Sequence, residues 1–288
     1  MEKIYIIGAT GNIGQQVVKT LLSKGIEITV FARNEEKVKG LFGESKNLTF
    51  VQGDYDSLEG YASTIQGHSR LFLVLSDFKK MAQAASNFAK LAYDAGVTQI
   101  VHVSSFLVSF PWRAHSIGAI HRQAEEAIFG IQNRGSYVAL RPAGFYTNQF
   151  WGDNHTIQKE STIFGSVGRN LKLSWISIGD IADLATVIMQ EPLEKHYDAV
   201  YEMASEAISE SERADIFSKA LGKPITYTRV EPEITYKKFL SLGFPHNIAY
   251  NLASFEDEYK TTPGLSILLG RKPESFQDWV EFNKSRFM

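Results

Sequence analysis

The sequence predicts a doubly wound α/β fold of the Rossmann type, a parallel sheet with helices on both faces, on three observations. Short β-rich apolar runs alternate with helical periodicity through the first half of the chain. Three glycines, Gly8, Gly11 and Gly14, follow the first of those runs at a strand-to-helix junction. The chain of 288 residues, 44% of them hydrophobic, can bury the core of one large domain or two interlocked ones.

The elements follow in order. Candidate strands are "KIYIIG", "IEITVFA", "LTFVQG", "RLFLVLS", "QIVHVSS" and "SYVALRP", with helical segments near 12–24, 35–42, 57–66, 79–95 and 115–133 between them. Parallel strands need crossover connections, and right-handed crossovers place helices on both faces, so the sheet should have six or seven strands. After Pro142 the alternation weakens and aromatic residues crowd in, as in "GFYTNQFWGDNH". Residues 1–142 are therefore read as the main sheet domain and 143–288 as a smaller α/β portion, with about 171–203 returning to the sheet. In that portion "DIADLATVIMQ" reads as a helix capped by Asp180, "GRN" at 168–170 as a turn, and "AVYEMA" and "PITYTRV" as short strands.

Charge and composition exclude several functions. Thirty basic residues against 32 acidic ones give a formal charge of −2, without the positive field that a nucleic-acid backbone requires. The lack of cysteine rules out disulfides, thiolate catalysis and cysteine-ligated zinc, and fits a reducing, cytoplasmic setting. No apolar run approaches the roughly 20 residues that span a bilayer, so no membrane partner is expected. Association into a homodimer is left open.

The glycines point to a ligand. Gly8 ends the first strand at a tight turn, Gly11 allows close approach of a pyrophosphate, and Gly14 permits close packing of the following helix. That helix, starting near Asn12, aims free amides and its positive dipole end at phosphate, with Thr10, Asn12 and Ile13 around the loop. A dinucleotide cofactor is the expectation; three glycines serving only turns and packing is the alternative.

The second strand ends in "FARNEEK", where an acidic residue would grip the ribose hydroxyls of NAD. Arg33 stands there instead and suits a 2′-phosphate, so NADPH is expected over NADH, with Lys37 one turn on as a helper. A solvated charge is the alternative for Arg33 and the simpler reading for Lys37. Asp54 in "VQGDYD" is suited to the adenine amino group or, equally, to a turn or cap. Ser76 and Ser104, after the fourth and fifth strands, complete the expected cofactor set.

At this point "IIGATGNIGQQV", "VFARNEEKV" and "FVQGDYDSLEG" together resemble the NmrA-like branch of the atypical short-chain dehydrogenases. "IVHVSS", "HRQAEEAI", "LRPAGFYTNQF", "WISIGDIADLA" and "LGRKPESFQDWVEF" extend the likeness over nearly the whole chain. The resemblance implies a Rossmann domain with a small substrate-binding domain, and NADP(H) as the usual cofactor. Its quinone oxidoreductase and triphenylmethane-dye reductase members look more similar than its nitrogen-regulator members. One departure matters: none of the 12 tyrosines has a lysine four residues on, so the Tyr-x-x-x-Lys dyad of ordinary short-chain dehydrogenases is missing. The lysine of isoflavone-reductase-like relatives is replaced by Ile117.

The groups left near an expected nicotinamide are Ser104, Ser105, His115, and His121 with Glu125. His121 and Glu125 are four apart and share a helix face, so the carboxylate can orient or charge the imidazole; an ordinary i,i+4 contact is the alternative. They are the catalytic candidates. A metal site built on His115, His121 and Glu125 lacks further ligands at a suitable spacing, and no metal is expected; His102 reads as a core histidine. Phe106, Trp112, His115, Phe145, Tyr146, Asn148 and Trp151 are the substrate candidates, with Phe150 and Trp175 as further aromatic walls. Large aromatics are also ordinary core material.

The expectation is an NADPH-dependent reductase that transfers hydride to a small planar acceptor such as a quinone. A non-catalytic NADP(H)-binding redox sensor is the rival, and a sugar-nucleotide epimerase-like protein the third reading. Fold alone does not separate them.

Overall fold

A computed structural model describes residues 3–254 and 261–288. The first half runs as six strands, β1 (Lys3–Ile7), β2 (Glu27–Ala32), β3 (Leu48–Gln52), β4 (Arg70–Val74), β5 (Gln99–Val103) and β6 (Ser136–Pro142). Between them lie α1 (Asn12–Ser23), α2 (Glu35–Phe42), α3 (Glu59–Thr64), α4 (Met81–Asp94) and α5 (Ser116–Phe129). The chain continues through β7 (Gly144–Phe145), α6 (Gln149–Gly152), α7 (Asn154–Glu160), β8 (Thr162–Gly165), β9 (Lys172–Ile176), α8 (Ile178–Ile188) and β10 (Val200–Met203). It ends with β11 (Glu206–Ser209), α9 (Glu210–Leu221), β12 (Thr226–Arg229), α10 (Pro232–Ser241), α11 (His246–Ser254), α12 (Leu265–Leu269) and α13 (Phe276–Asn283).

Two compact units result: Met1–Pro142 with Ile178–Glu202, and Ala143–Ser177 with Met203–Met288. The segment that rejoins the first unit thus begins at Ile178, because Lys172–Ile176 pairs within the second.

The first unit is built on a seven-stranded sheet in the order β10-β6-β5-β4-β1-β2-β3, and β1 to β6 pair in parallel. Strands covered on both faces read as continuous apolar runs, as the buried Ile4, Tyr5, Ile6 and Ile7 of β1 do. Tyr5 and Ile7 face a core with Phe31, Tyr61, Leu73 and Phe88, where Tyr61 and Phe88 meet edge to face at 4.9 Å. The Tyr61 hydroxyl donates to the Phe88 carbonyl at 3.0 Å, so the ring is buried without stranding its polar end. Ile13, Val17, Val18 and Leu21 give α1 one buried stripe, and α1 packs with α8. Strand order reverses between β1 and β4, and the crevice beyond the carboxyl ends of those two strands is where such sheets bind ligands.

Two local readings need correction. α5 stops at Phe129, not near residue 133, because Gly130 caps it and Asn133 turns left-handed at φ 56°. Asp180 is inside the first turn of α8 and fully buried, so it is not the residue that precedes and caps the helix.

The second unit has a three-stranded sheet, β11-β9-β7, and a parallel pair, β12-β8. Tyr146, Ile163, Phe217, Phe276, Trp279 and Phe287 form its core. α9 starts with a reciprocal capping box, Ser209 with Glu212, and ends on the left-handed Gly222, the start and stop signals its sequence carries.

Candidate functional site

The glycine loop lies at the reversal of the sheet. Gly8 has φ 85°, and a side chain there would reach the Val74 carbonyl at 2.6 Å, so both conformation and space exclude one. Gly14 is closed off by the loop itself: its Cβ would lie 2.2 Å from the Gly8 carbonyl oxygen, the atom that also accepts the Gly11 amide at 3.1 Å. Gly11 differs from both. Its φ of −85° is open to any residue, and the nearest atom to an added Cβ is the Gly8 oxygen at 3.4 Å. Nothing in the chain demands glycine at that position, which leaves a clear approach to the amino end of α1.

That end is dressed for an anion. Gly11 is the N-cap and supplies no side-chain bond, and no acidic residue occupies the first turn. Thr10 receives the Gln15 side-chain amide on its carbonyl at 3.0 Å, while Asn12 is exposed and Ile13 turns into the core. These residues fit the pyrophosphate of a dinucleotide. Arg33 and Lys37 are exposed just past β2, with Asn34 between them accepting the Lys37 amide at 2.8 Å as the cap of α2. The Asp54 side chain accepts the amides of Asp56 and Ser57 at 2.8 and 3.0 Å, which is the turn role, on an exposed residue. The Ser76 amide donates to the Tyr55 hydroxyl at 3.3 Å.

The catalytic candidates are arranged differently from the sequence reading. Glu125 does not pair with His121. Arg141 grips its two oxygens, from Nε at 3.0 Å and Nη2 at 2.6 Å, and the Ser104 hydroxyl donates to Oε1 at 2.5 Å. Helical spacing puts His121 and Glu125 on one face, but the charge that completes Glu125 comes from the end of β6. His121 is buried with Nδ1 unpartnered, and burial, with His102 nearby, pushes its imidazole down to about 3 against a smaller opposing pull from Glu125. Burial thus favours the neutral imidazole at physiological pH. His102 is a core histidine, bonded through Nδ1 to the Tyr137 hydroxyl at 2.8 Å and held by burial at about 4. His115 is buried as the N-cap of α5, its Nδ1 accepting the Ile117 amide at 3.2 Å, and burial lowers it to about 4; capping displaces the substrate role expected for it.

The aromatic candidates divide. Within the first unit Trp112 is 53% exposed beneath the Arg122 guanidinium, and Phe106 meets Phe110 edge to face. Within the second, Tyr146 is fully buried, its hydroxyl donating to the Glu274 carbonyl at 3.1 Å, so it is core and not a substrate contact. Phe150 stacks on Phe287 at 5.4 Å, while Phe145 and Asn148 are half-buried. Trp151 is 47% exposed against Phe239 and Phe244.

Sequence reasoning missed two charged groups. Arg141 is one; the signal was an arginine directly after the apolar run Val138, Ala139 and Leu140 near the end of a buried strand. The second is Arg213, buried on α9 and bonded to Glu210 at 2.6 Å, Asp153 at 2.5 Å and the Gln149 side chain, with its guanidinium over the Trp175 ring. Glu210 is its neighbour three residues back, but Asp153 and Gln149 lie 60 and 64 residues away, so the cluster as a whole is not announced locally.

The model of the NmrA-like family matches residues 1–282. The chain belongs to the NmrA-like family. Among curated relatives, it is 26% identical to the prestalk A differentiation protein A of Dictyostelium discoideum, over 96% of this chain and 91% of that one. It is 24% identical to the NAD(P)H azoreductase of Xenophilus azovorans, over 99% of each. Among solved structures, the NADPH complex of the quinone oxidoreductase QOR2 from Escherichia coli superposes with TM-score 0.82 at 24% identity, covering 98% of this chain and 99% of that one. The NADP(H) complex of Citrobacter triphenylmethane reductase gives 0.81 at 24% over 97% and 99%. The negative transcriptional regulator Nmra in complex with NAD gives 0.78 at 14% over 97% and 94%. These solved structures share one fold with this chain. Among the described residues, no helix is long and apolar enough to cross a membrane.

Proposed function

We propose that this protein is an NADPH-dependent reductase acting on a small planar acceptor of the quinone or aromatic-dye class. The observation that carries the reading is the open amino end of α1 at the β1–β4 reversal, where Gly11 is free of any demand from the chain itself. Gly8, Thr10, Gly11, Asn12, Ile13 and Gly14 form the pyrophosphate loop, and Arg33, with Lys37 nearby, receives the 2′-phosphate. Asp54 serves its turn and so holds the loop after β3, while Ser76 and Ser104 lie at the carboxyl ends of neighbouring strands. The reduced nicotinamide supplies a hydride. The protein contributes position, not strong acid catalysis.

A quinone that accepts hydride takes one proton to become the hydroquinone. With no Tyr-x-x-x-Lys and a neutral His121, that proton comes from water, which suits an acceptor already prone to reduction. The azoreductase and quinone oxidoreductase among the relatives support this class. In the first unit, Phe106 and the half-exposed Trp112 are the aromatic side chains proposed for it.

The burial of Tyr146 favours a second reading, a redox sensor that binds NADP(H) and catalyses nothing, because it removes one polar handle from the expected substrate wall. Steady-state oxidation of NADPH with naphthoquinones and azo dyes, beside titration of the cofactor alone, separates the two. Turnover above background supports the reductase; tight NADPH binding with no turnover across the panel replaces it with the sensor.

A further inference from the structure

Ser104, at the carboxyl end of β5, has both of its hydrogens committed. Its amide donates to the Leu140 carbonyl at 2.7 Å, and its hydroxyl donates to Glu125 Oε1 at 2.5 Å. The direction of the second bond is fixed by chemistry. Glu125 is a carboxylate gripped at both oxygens by Arg141, so it accepts only, and the one proton between the two side chains belongs to the serine. All three groups are sheltered, with side-chain exposures of 10% for Glu125 and 19% for Arg141, which keeps water from competing for these bonds. Ser104 retains 4% of its surface, and with its proton committed to Glu125 the hydroxyl can only accept from a further partner.

We infer that the Glu125–Arg141 pair makes Ser104 an obligate hydrogen-bond acceptor that recognises an N–H donor on its ligand, the carboxamide NH2 of a nicotinamide ring. The inference rests on the dinucleotide reading above and gives it a polarity. A quinone oxygen, which has no hydrogen to give, gains nothing from Ser104, whereas a carboxamide does. Arg141 and Glu125 are positioning residues: they act through the serine hydroxyl.

The test compares binding of NADP+ with that of its 3-acetylpyridine analogue, which keeps the carbonyl and replaces NH2 by methyl, using isothermal titration of the whole chain. Wild type should prefer NADP+ by about five- to tenfold, the worth of one hydrogen bond. Ser104→Ala, which leaves the Arg141–Glu125 pair intact, should bring the ratio near one by weakening NADP+ alone. Glu125→Gln can donate to Ser104 and release its proton, so it should also lower the ratio. If that variant does not fold, Ser104→Ala still decides. A folded Ser104→Ala protein with the wild-type ratio overturns the inference and leaves the dinucleotide reading standing. Failure of wild type to bind either nucleotide overturns both.

Discussion

Gly14 sits so tightly beneath Gly8 that a β-carbon on it would come within 2.2 Å of the Gly8 carbonyl oxygen. The same oxygen accepts the Gly11 amide, so the turn, the helix start and the close packing share one atom. The three glycines therefore serve different ends: Gly8 and Gly14 make the loop, and Gly11 leaves it open.

Substitutions at the two helix glycines should accordingly separate. Gly14→Ala must push the loop away from α1 and should cost about 1–3 kcal/mol of stability, the usual range for overpacking. Gly11→Ala should cost no more than about 1 kcal/mol, the scale of a changed N-cap. Gly11→Val should weaken NADPH and NADH alike by collision with the pyrophosphate. Thermal unfolding and cofactor titration of the same samples check all three; a Gly14→Ala protein as stable as wild type would sink the packing argument.

Cofactor preference should follow Arg33. Its guanidinium is exposed past the end of β2, where a carboxylate would be needed to hold ribose hydroxyls. Wild type should bind NADPH several-fold more tightly than NADH. Arg33→Ala should erase most of that gap, since a charge-assisted bond is worth roughly 1.5–3 kcal/mol and solvent screening trims it. Fluorescence titration decides, and equal wild-type affinities would end the argument.

The buried histidines should make the fold acid-sensitive. Burial holds His121 at about 3 and His102 at about 4, whereas the unfolded chain protonates them near 6.5. Between those values the unfolded state binds more protons. The stability due to neutral burial is thus fully present above about pH 6.5 and is lost as pH falls toward the folded values. His121→Met removes one titrating group and one unpartnered nitrogen, so it should flatten the slope of stability between pH 4 and 6 by about 1.4 kcal/mol per pH unit. Urea unfolding across that range measures it. The same variant should keep most of any quinone turnover at neutral pH; a hundredfold loss would restore His121 as a general acid.

The first half of the fold was legible because its elements announce themselves locally: buried strands as apolar runs, α1 as a glycine-started amphipathic stripe. The glycine loop was legible for the same reason. The rest of the site depends on tertiary choices. Helical spacing correctly put His121 and Glu125 on one face but could not reveal that Arg141, from another element, completes Glu125. Tyr146 and Trp151 are five residues apart in one aromatic segment, and only packing sends the first into the core and leaves the second half in solvent.

Arg213 supplies the sharpest stability test of the second unit. Its guanidinium faces two carboxylates, Glu210 and Asp153, and the Gln149 side chain, in a cluster where burial lifts Glu210 above the usual carboxylate range despite the pull of Arg213. Removing one partner from a buried ion cluster leaves charge without compensation, at a typical cost of 3–5 kcal/mol. Arg213→Met keeps much of the side-chain volume over Trp175 and should show that loss at pH 7 in urea unfolding followed by tryptophan fluorescence. The deficit should shrink as pH falls from 7 to 5. Without the guanidinium, the buried Glu210 binds a proton more readily in the folded state than in the unfolded one, and that proton removes an uncompensated charge. A deficit that stays constant with pH would mean that Arg213 matters for packing against Trp175 and not for the charges around it.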